Sequence, residues 1–80
     1  MDVKDLIVER FVGLCRERNI TVNELANISG VTASTVYSMM DPSRRDVSVR
    51  TVKKLCDGLD ITLGEFFSTE GFNSLEQELV

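Results

Sequence analysis

The sequence predicts an all-α fold of five short helices followed by a short C-terminal helical tail. Three observations carry that expectation. Apolar residues recur at spacings of three and four through most of the chain, the stripe of an amphipathic helix. Two T-x-x-E boxes, Thr21 with Glu24 and Thr62 with Glu65, mark helix starts where hydroxyl and carboxylate each satisfy an orphaned backbone N–H. Between them, TVNELANISGVTASTVYSMM (Thr21 to Met40) reads as two helices about a tight turn at Ser29-Gly30-Val31, the layout of a helix-turn-helix.

Taken in order, helix 1 is expected over Val3 to Arg18, with Val3, Leu6, Ile7, Phe11, Leu14 and Cys15 on one face. Gly13 weakens it by about 1 kcal/mol relative to alanine, and either admits the close approach of another helix or is incidental. Arg16 and Arg18 suit the negative end of the helix dipole; Arg18 has a second reading, approach to a nucleic-acid backbone beside the start of helix 2. Helix 2 runs from Thr21 to Ile28 with Val22, Leu25, Ala26 and Ile28 as its stripe, and Gly30 supplies the left-handed residue that ends it. Helix 3 starts at Thr32 or Ala33 and ends at Met40. On the helical wheel Val36, Met39, Met40 and Thr32 cluster, while Ser34, Tyr37, Ser38 and Asp41 lie opposite and Ala33 sits on the flank.

Pro42 cannot continue that helix and biases Asp41 towards extended backbone, so Asp41 to Asp46 is a loop. Helix 4 is expected from Ser48 to Leu59, burying Val49, Val52, Leu55, Cys56 and Leu59 and exposing Arg50, Lys53, Lys54 and Asp57; Gly58 fits a helix end. Helix 5 follows the Thr62 box and buries Leu63, Phe66 and Phe67. In the acidic tail Phe72, Leu75 and Leu79 keep helical spacing, suited to packing on the domain, covering a dimer partner or fraying. We divide the chain into a domain over 1–69 and an acidic amphipathic tail over 70–80.

Eighty residues allow one domain, and 42% hydrophobic with 28% charged residues is the balance of a soluble globular chain. Cys15 and Cys56 fall within apolar stripes, as small core hydrophobes of a reducing cytosol do, a disulfide or redox switch being the alternative. No apolar run approaches membrane-spanning length, and MDVKDLIVERF is acidic where a signal peptide is basic, so a cytoplasmic protein without membrane association is expected. With no histidine there is no Ser-His or Cys-His pair, two distant cysteines make no zinc site, and no phosphate-cradling glycine loop is present. The expectation is a protein that is not an enzyme, with no catalytic residues, no metal and no cofactor. No sensor domain is read, so no small-molecule ligand is expected.

A net charge of −4 is not the basic footprint asked of a nucleic-acid binder, but its distribution is uneven. Residues 1–30 carry −1. Residues 31–54 carry +3, with Arg44, Arg45, Arg50, Lys53 and Lys54 against Asp41 and Asp46, while residues 55–80 hold six acids and no base, −6. Screening limits each region's reach to about 10 Å, so the local excess beginning at helix 3 governs contact with a polyanion.

These residues resemble the lambda-repressor/Cro-like, or XRE-type, helix-turn-helix regulators of bacteria and their phages. The likeness runs from Leu14 to Phe67 through E-L-A at Glu24–Ala26, S-G-V at Ser29–Val31, T-V-Y-S-M-M at Thr35–Met40 and V-K-K-L-C-D-G-L-D-I-T-L-G-E-F-F at Val52–Phe67. It implies a compact five-helix bundle whose third helix enters the major groove of double-stranded DNA. By position it implies base reading by Thr32, Ala33, Ser34 and Ser38 with Tyr37 beside them, and phosphate contacts at Thr21 and Val22, where a helix N-terminus suits an anion. It implies further phosphate contacts from Arg44 and Arg45; Arg18 joins them in its second reading. The chain departs from the family pattern at Val22, where some relatives have glutamine, at Pro42 (usually glycine), at Val47 (usually proline) and at Cys15 (often arginine).

Bidentate readout of G or A by Arg, Lys, Asn or Gln is worth about 1–3 kcal/mol per contact. Helix 3 offers single hydroxyls and the Ala33 methyl instead, so modest direct readout supplemented by DNA shape or bridging water is expected. The leading reading is a sequence-specific transcriptional regulator that binds a two-fold operator as a homodimer. The alternative is a protein-interaction module, an antirepressor or a partner-binding subunit, that keeps the fold without strong DNA binding.

Overall fold

The computed structural model describes residues 1–78, which form α1 (Val3–Glu17), α2 (Val22–Ser29), α3 (Ala33–Met40), α4 (Val49–Gly58), α5 (Leu63–Phe67) and α6 (Glu70–Asn73), with no strand among them. Both T-x-x-E boxes close as expected. Thr21 Oγ1 accepts from the Glu24 N–H at 3.1 Å while Glu24 returns a carboxylate oxygen to the Thr21 N–H at 3.0 Å, and Thr62 with Glu65 repeats the arrangement. The two Thr62 bonds hold the Glu65 carboxyl below its usual range. A third box opens α1, where Asp2 and Asp5 exchange the same pair of bonds at 3.1 Å each; with aspartate at both positions it does not read as S/T-x-x-E. Thr32 is the cap of α3, not its first residue, and Ser48 caps α4.

Three helix ends are built alike. Asn19, Gly30 and Asp60 adopt the left-handed conformation at φ 56°, 70° and 57°. The next residue in each case, Ile20, Val31 and Ile61, turns back onto the core and donates its N–H to the carbonyl five residues earlier, at 3.0, 3.1 and 3.0 Å. Threonine then caps the following helix. The sequence signals this ending clearly only at Gly30; asparagine and aspartate tolerate left-handed backbone because their short polar side chains bond locally.

The core joins Ile7, Phe11, Leu14 and Cys15 of α1, Leu25 and Ala26 of α2, Val36 and Met39 of α3, Val52, Leu55 and Cys56 of α4 with Leu59 beyond it, and Phe66 of α5. Both cysteines are free and buried, and burial pushes both thiols up. Several apolar assignments differ. Val3 lies at the exposed start of α1, and Leu6, Leu63 and Met40 are only half-buried. Val49 is 76% exposed, because a side chain at the first position of a helix leans past its N-terminal end. Ile28 is 55% exposed; the inward stripe of α2 is Val22, Leu25, Ala26 and Ser29, at i, i+3, i+4 and i+7.

Ser29 faces Gly58 of α4. A Cβ placed on Gly58 would lie 2.0 Å from Ser29 Oγ and 3.0 Å from its Cα and Cβ. Gly58 is therefore a close-approach residue, the last of α4, and Leu59 follows as its cap. Gly13 has the opposite outcome: nothing lies within 4 Å of a Cβ built there, so no helix is admitted by it.

At the other end, the rings of Phe11 and Phe66 are 4.4 Å apart, and Phe67 and Phe72 are 4.9 Å apart. Phe66 meets Phe67 edge-on at 4.9 Å. Arg10 crosses the Phe66 face and donates to the Phe66 and Glu65 carbonyls at 3.0 and 3.2 Å, satisfying two acceptors at the end of α5. The tail packs on the domain through Phe72; its regular part is the single turn of α6, and Leu79 lies outside the described residues. Truncation after Thr69 is accordingly expected to lower stability by about 1–1.5 kcal/mol, the value of lost aromatic pairs, whereas truncation after Ser74 retains Phe72 and leaves the thermal midpoint within error. Thermal melts of the two truncations check this.

Candidate nucleic-acid interface

α3 is held by two buried side chains, Val36 and Met39. Its opposite face is open: Ala33, Ser34 and Tyr37 are exposed, Tyr37 at 53%, and Ser38 is half-buried. The Thr32 hydroxyl at the head of this face is already engaged, lying 3.2 Å from the Thr35 N–H, 2.8 Å from Thr35 Oγ1 and 3.0 Å from Ser34 Oγ. The cap thus gathers the Thr32, Ser34 and Thr35 hydroxyls into one cluster, with Tyr37 exposed beside it.

Beyond α3 the backbone turns at Asp41, whose φ of −65° and ψ of 117° are the extended conformation Pro42 demands. Asp41 Oδ1 accepts from the Ser43 N–H and Oγ at 2.9 and 2.8 Å, and these bonds hold its carboxyl below the ordinary range. The loop returns Arg44 to the side of α3. A shallow cleft of about 150 Å³ is lined by Thr35, Ser38 and Met39 of α3, by Arg44, Asp46 and Val47 of the loop, and by Ser48 and Thr51 at the start of α4. The structure thus joins Ser38 and Arg44 of the expected site. Thr35, Ser48 and Thr51 line the same cleft without having been singled out; for Ser48 the hydroxyl of a cap position was the available signal.

The two arginines of the loop differ. Arg44 is 65% exposed and, among the described residues, forms an ion pair with Asp41 alone, at 3.8 Å. Arg45 is 49% exposed and its guanidinium bonds Asp2 at 2.6 Å, Asp5 at 3.2 Å and the Pro42 carbonyl at 2.8 Å. The guanidinium, with the Asp5 N–H, brings the Asp2 carboxyl down to about 2, and the two carboxylates raise Arg45 in turn. Because the folded value is depressed, the stabilisation this pair supplies is present above about pH 4 and is lost as pH falls through about 2. Arg45→Ala is expected to return Asp2 towards 3.8, read by carboxyl carbon NMR titration. Thr21 is exposed at the head of α2 with its hydroxyl in the cap, Val22 is half-buried behind it, and Arg18 is exposed at the end of α1 without an ion pair among the described residues.

Among the described residues no group of three or more His, Cys, Asp or Glu side chains is gathered as metal ligands, and no helix is long and apolar enough to cross a membrane. What the surface presents is a hydroxyl-bearing helix face, a projecting tyrosine and a cation beside them.

Comparison with known proteins bears on the family and the fold. Residues 12–71 match the family model of the Cro/C1-type HTH DNA-binding domain. The chain is 32% identical over 54 residues to the SPbeta prophage-derived HTH-type transcriptional regulator YopS of Bacillus subtilis strain 168, a span covering 68% of this chain and 73% of that protein. The crystal structure of the prophage Lp1 protein 11 superposes with a TM-score of 0.83 at 26% identity, covering 94% of this chain and all of that one. The chain belongs to the Cro/C1-type helix-turn-helix family of DNA-binding domains.

Proposed function

We propose that this chain is a sequence-specific, double-stranded-DNA-binding transcriptional regulator of a bacterium or its phage, acting in the cytoplasm. The observation that carries the reading is the open face of α3, whose Ser38 lines one cleft with Arg44, within a Cro/C1-type domain. Ala33, Ser34, Tyr37 and Ser38, headed by Thr32, read base edges in the major groove. Phosphates are met by Arg44, by Arg18, and by the start of α2 at Thr21 and Val22, where the helix dipole favours an anion. Residues 1–69 form the DNA-binding domain and 70–80 the acidic tail. Both relatives are prophage proteins by their names, which favours a regulator from a phage or a prophage.

The protein acts as a homodimer, setting two copies of α3 about 34 Å apart on a two-fold operator. Hydroxyl contacts are weaker than bidentate ones, so one eight-residue helix needs a second half-site to reach useful specificity. Selection of binding sites from random DNA, followed by anisotropy titration, tests the reading. An enriched motif with half-sites about 10 base pairs apart is expected. Sedimentation equilibrium on the operator-free protein should give twice the chain mass of 9.0 kDa. Absence of any enriched sequence would instead favour a protein-interaction module, for which the −6 of residues 55–80 supplies a charged surface.

Arg44→Ala is expected to weaken binding to all sequences alike and to lower the slope of log K against log salt by about 1, since it removes one phosphate contact. Titrations at several salt concentrations read both effects.

A further inference from the structure

Lys4 is 2% exposed, the one charged side chain buried among the described residues. Its Nζ donates to the Asp41 carbonyl at 2.7 Å, tying the first turn of α1 to the end of α3. One position further round the same turn, Asp2 and Asp5 hold the Arg45 guanidinium through Oδ2 of each, at 2.6 and 3.2 Å, and Arg45 also donates to the Pro42 carbonyl at 2.8 Å. Asp2 keeps Oδ1 for the Asp5 N–H of its capping box, so its two oxygens serve different partners. The loop between α3 and α4 is fastened to α1 at both ends.

From this geometry we propose that Lys4 and Arg45 are positioning residues of the DNA-binding surface. They lash the Asp41–Asp46 loop to α1, keep Arg45 off the phosphates, and leave Arg44 as the cation the loop offers. The inference rests on the DNA-binding reading above. To reach a phosphate Arg45 would have to give up two carboxylates held by Nη2 and a carbonyl held by Nη1, whereas Arg44 is held among the described residues by one carboxylate at 3.8 Å. A lysine carries the same charge as Arg45 but cannot reproduce its planar fork. Lys4 is buried and does not reach DNA, so any effect it has on binding passes through the loop it holds.

The test is a salt series of anisotropy titrations on a selected operator with Arg45→Ala, Arg45→Lys and Lys4→Met, and with Arg44→Ala as the reference phosphate contact. Loss of a preorganised loop is expected to weaken binding by about tenfold in all three, with the salt slope of wild type; Arg44→Ala alone lowers that slope. Amide NMR spectra of Arg45→Lys should show shifts centred on residues 41–46 and the first turn of α1, with the rest of the fold in place. Should Lys4→Met fail to fold, the Arg45 pair still decides the question. An Arg45→Ala variant with a slope lower by about 1, restored with full affinity in Arg45→Lys, would make Arg45 a phosphate contact and overturn the positioning role alone. Wild-type protein that binds no DNA would overturn the functional reading and the positioning role with it.

Discussion

Ser34→Glu is expected to reduce operator affinity by about 100-fold or more, equivalent to about 2.7 kcal/mol, while the thermal midpoint stays at or slightly above that of wild type. Ser34 is exposed in the first turn of α3, with its hydroxyl 3.0 Å from Thr32 Oγ1. A carboxylate at that position suits the positive end of the helix dipole, so folding has no reason to suffer. In a major groove the same carboxylate meets the field of two phosphate backbones and loses hydration without gaining a donor. Stability and affinity are thereby separated at one position. Anisotropy titration and a circular-dichroism melt on the same preparation make the measurement, and retained affinity would remove α3 from the interface.

Gly58→Ala should be the most damaging conservative change in the scaffold, at about 2 kcal/mol, within the range of overpacked sites. In an 80-residue domain that corresponds to a midpoint lower by about 8–16 °C. On helix propensity alone the substitution would stabilise α4 by about 1 kcal/mol, so the sign of the effect is diagnostic. The added methyl would overlap Ser29 Oγ and press on its Cα and Cβ, which belong to the backbone and base of α2 and cannot rotate away. Ser29 Oγ is itself buried with no hydrogen-bond partner. Ser29→Ala is therefore expected to be neutral or mildly stabilising, since it removes an unsatisfied hydroxyl. In combination it should recover part of the Gly58→Ala loss, a favourable coupling that a double-mutant cycle by chemical denaturation resolves. A stabilised Gly58→Ala protein would show that α2 and α4 move apart at little cost.

The two predictions concern different parts of one arrangement. α2 is pressed onto α4 by a serine and a glycine, which sets the depth at which the helix-turn-helix is seated in the bundle. α3 then stands out from that seat with a short hydroxyl face, and the loop after it is held from behind by the first turn of α1. A regulator with few bidentate side chains depends on being held rigidly, because the contacts it does make tolerate little loss of preorganisation.

Much of the fold around α3 was legible in the residues. The capping boxes at Thr21 and Thr62, Gly30, and the break at Pro42 are local signals: each is satisfied within about four residues, and the chain needs no distant partner to express them. The outward set of α3 followed from the same periodicity that identified its inward set, and Val36 and Met39 lie inside as expected. Where the reading slipped, the deciding partner was remote. Ile28 is the more hydrophobic candidate for the inward face of α2, yet Ser29 occupies it because only a small residue fits against Gly58. Val49 carries the right period for the core but stands where the helix has no neighbour to cover it.

By itself, then, the sequence determined where helices start and stop at the Thr21 and Thr62 capping boxes, at Gly30 and at Pro42, while the left-handed endings at Asn19 and Asp60 came from the structure. It determined the amphipathic faces, and its motifs carried the resemblance to the family. Only the tertiary structure decided which cation of the loop is tied to the start of α1. Arg45 finds its carboxylates 43 and 40 positions away, and Lys4 its carbonyl 37 positions away. Such pairings are set by how helices pack and not by any local preference. A charged side chain's partner is chosen by three-dimensional proximity and desolvation, and neither quantity is written in the spacing of residues along one helix.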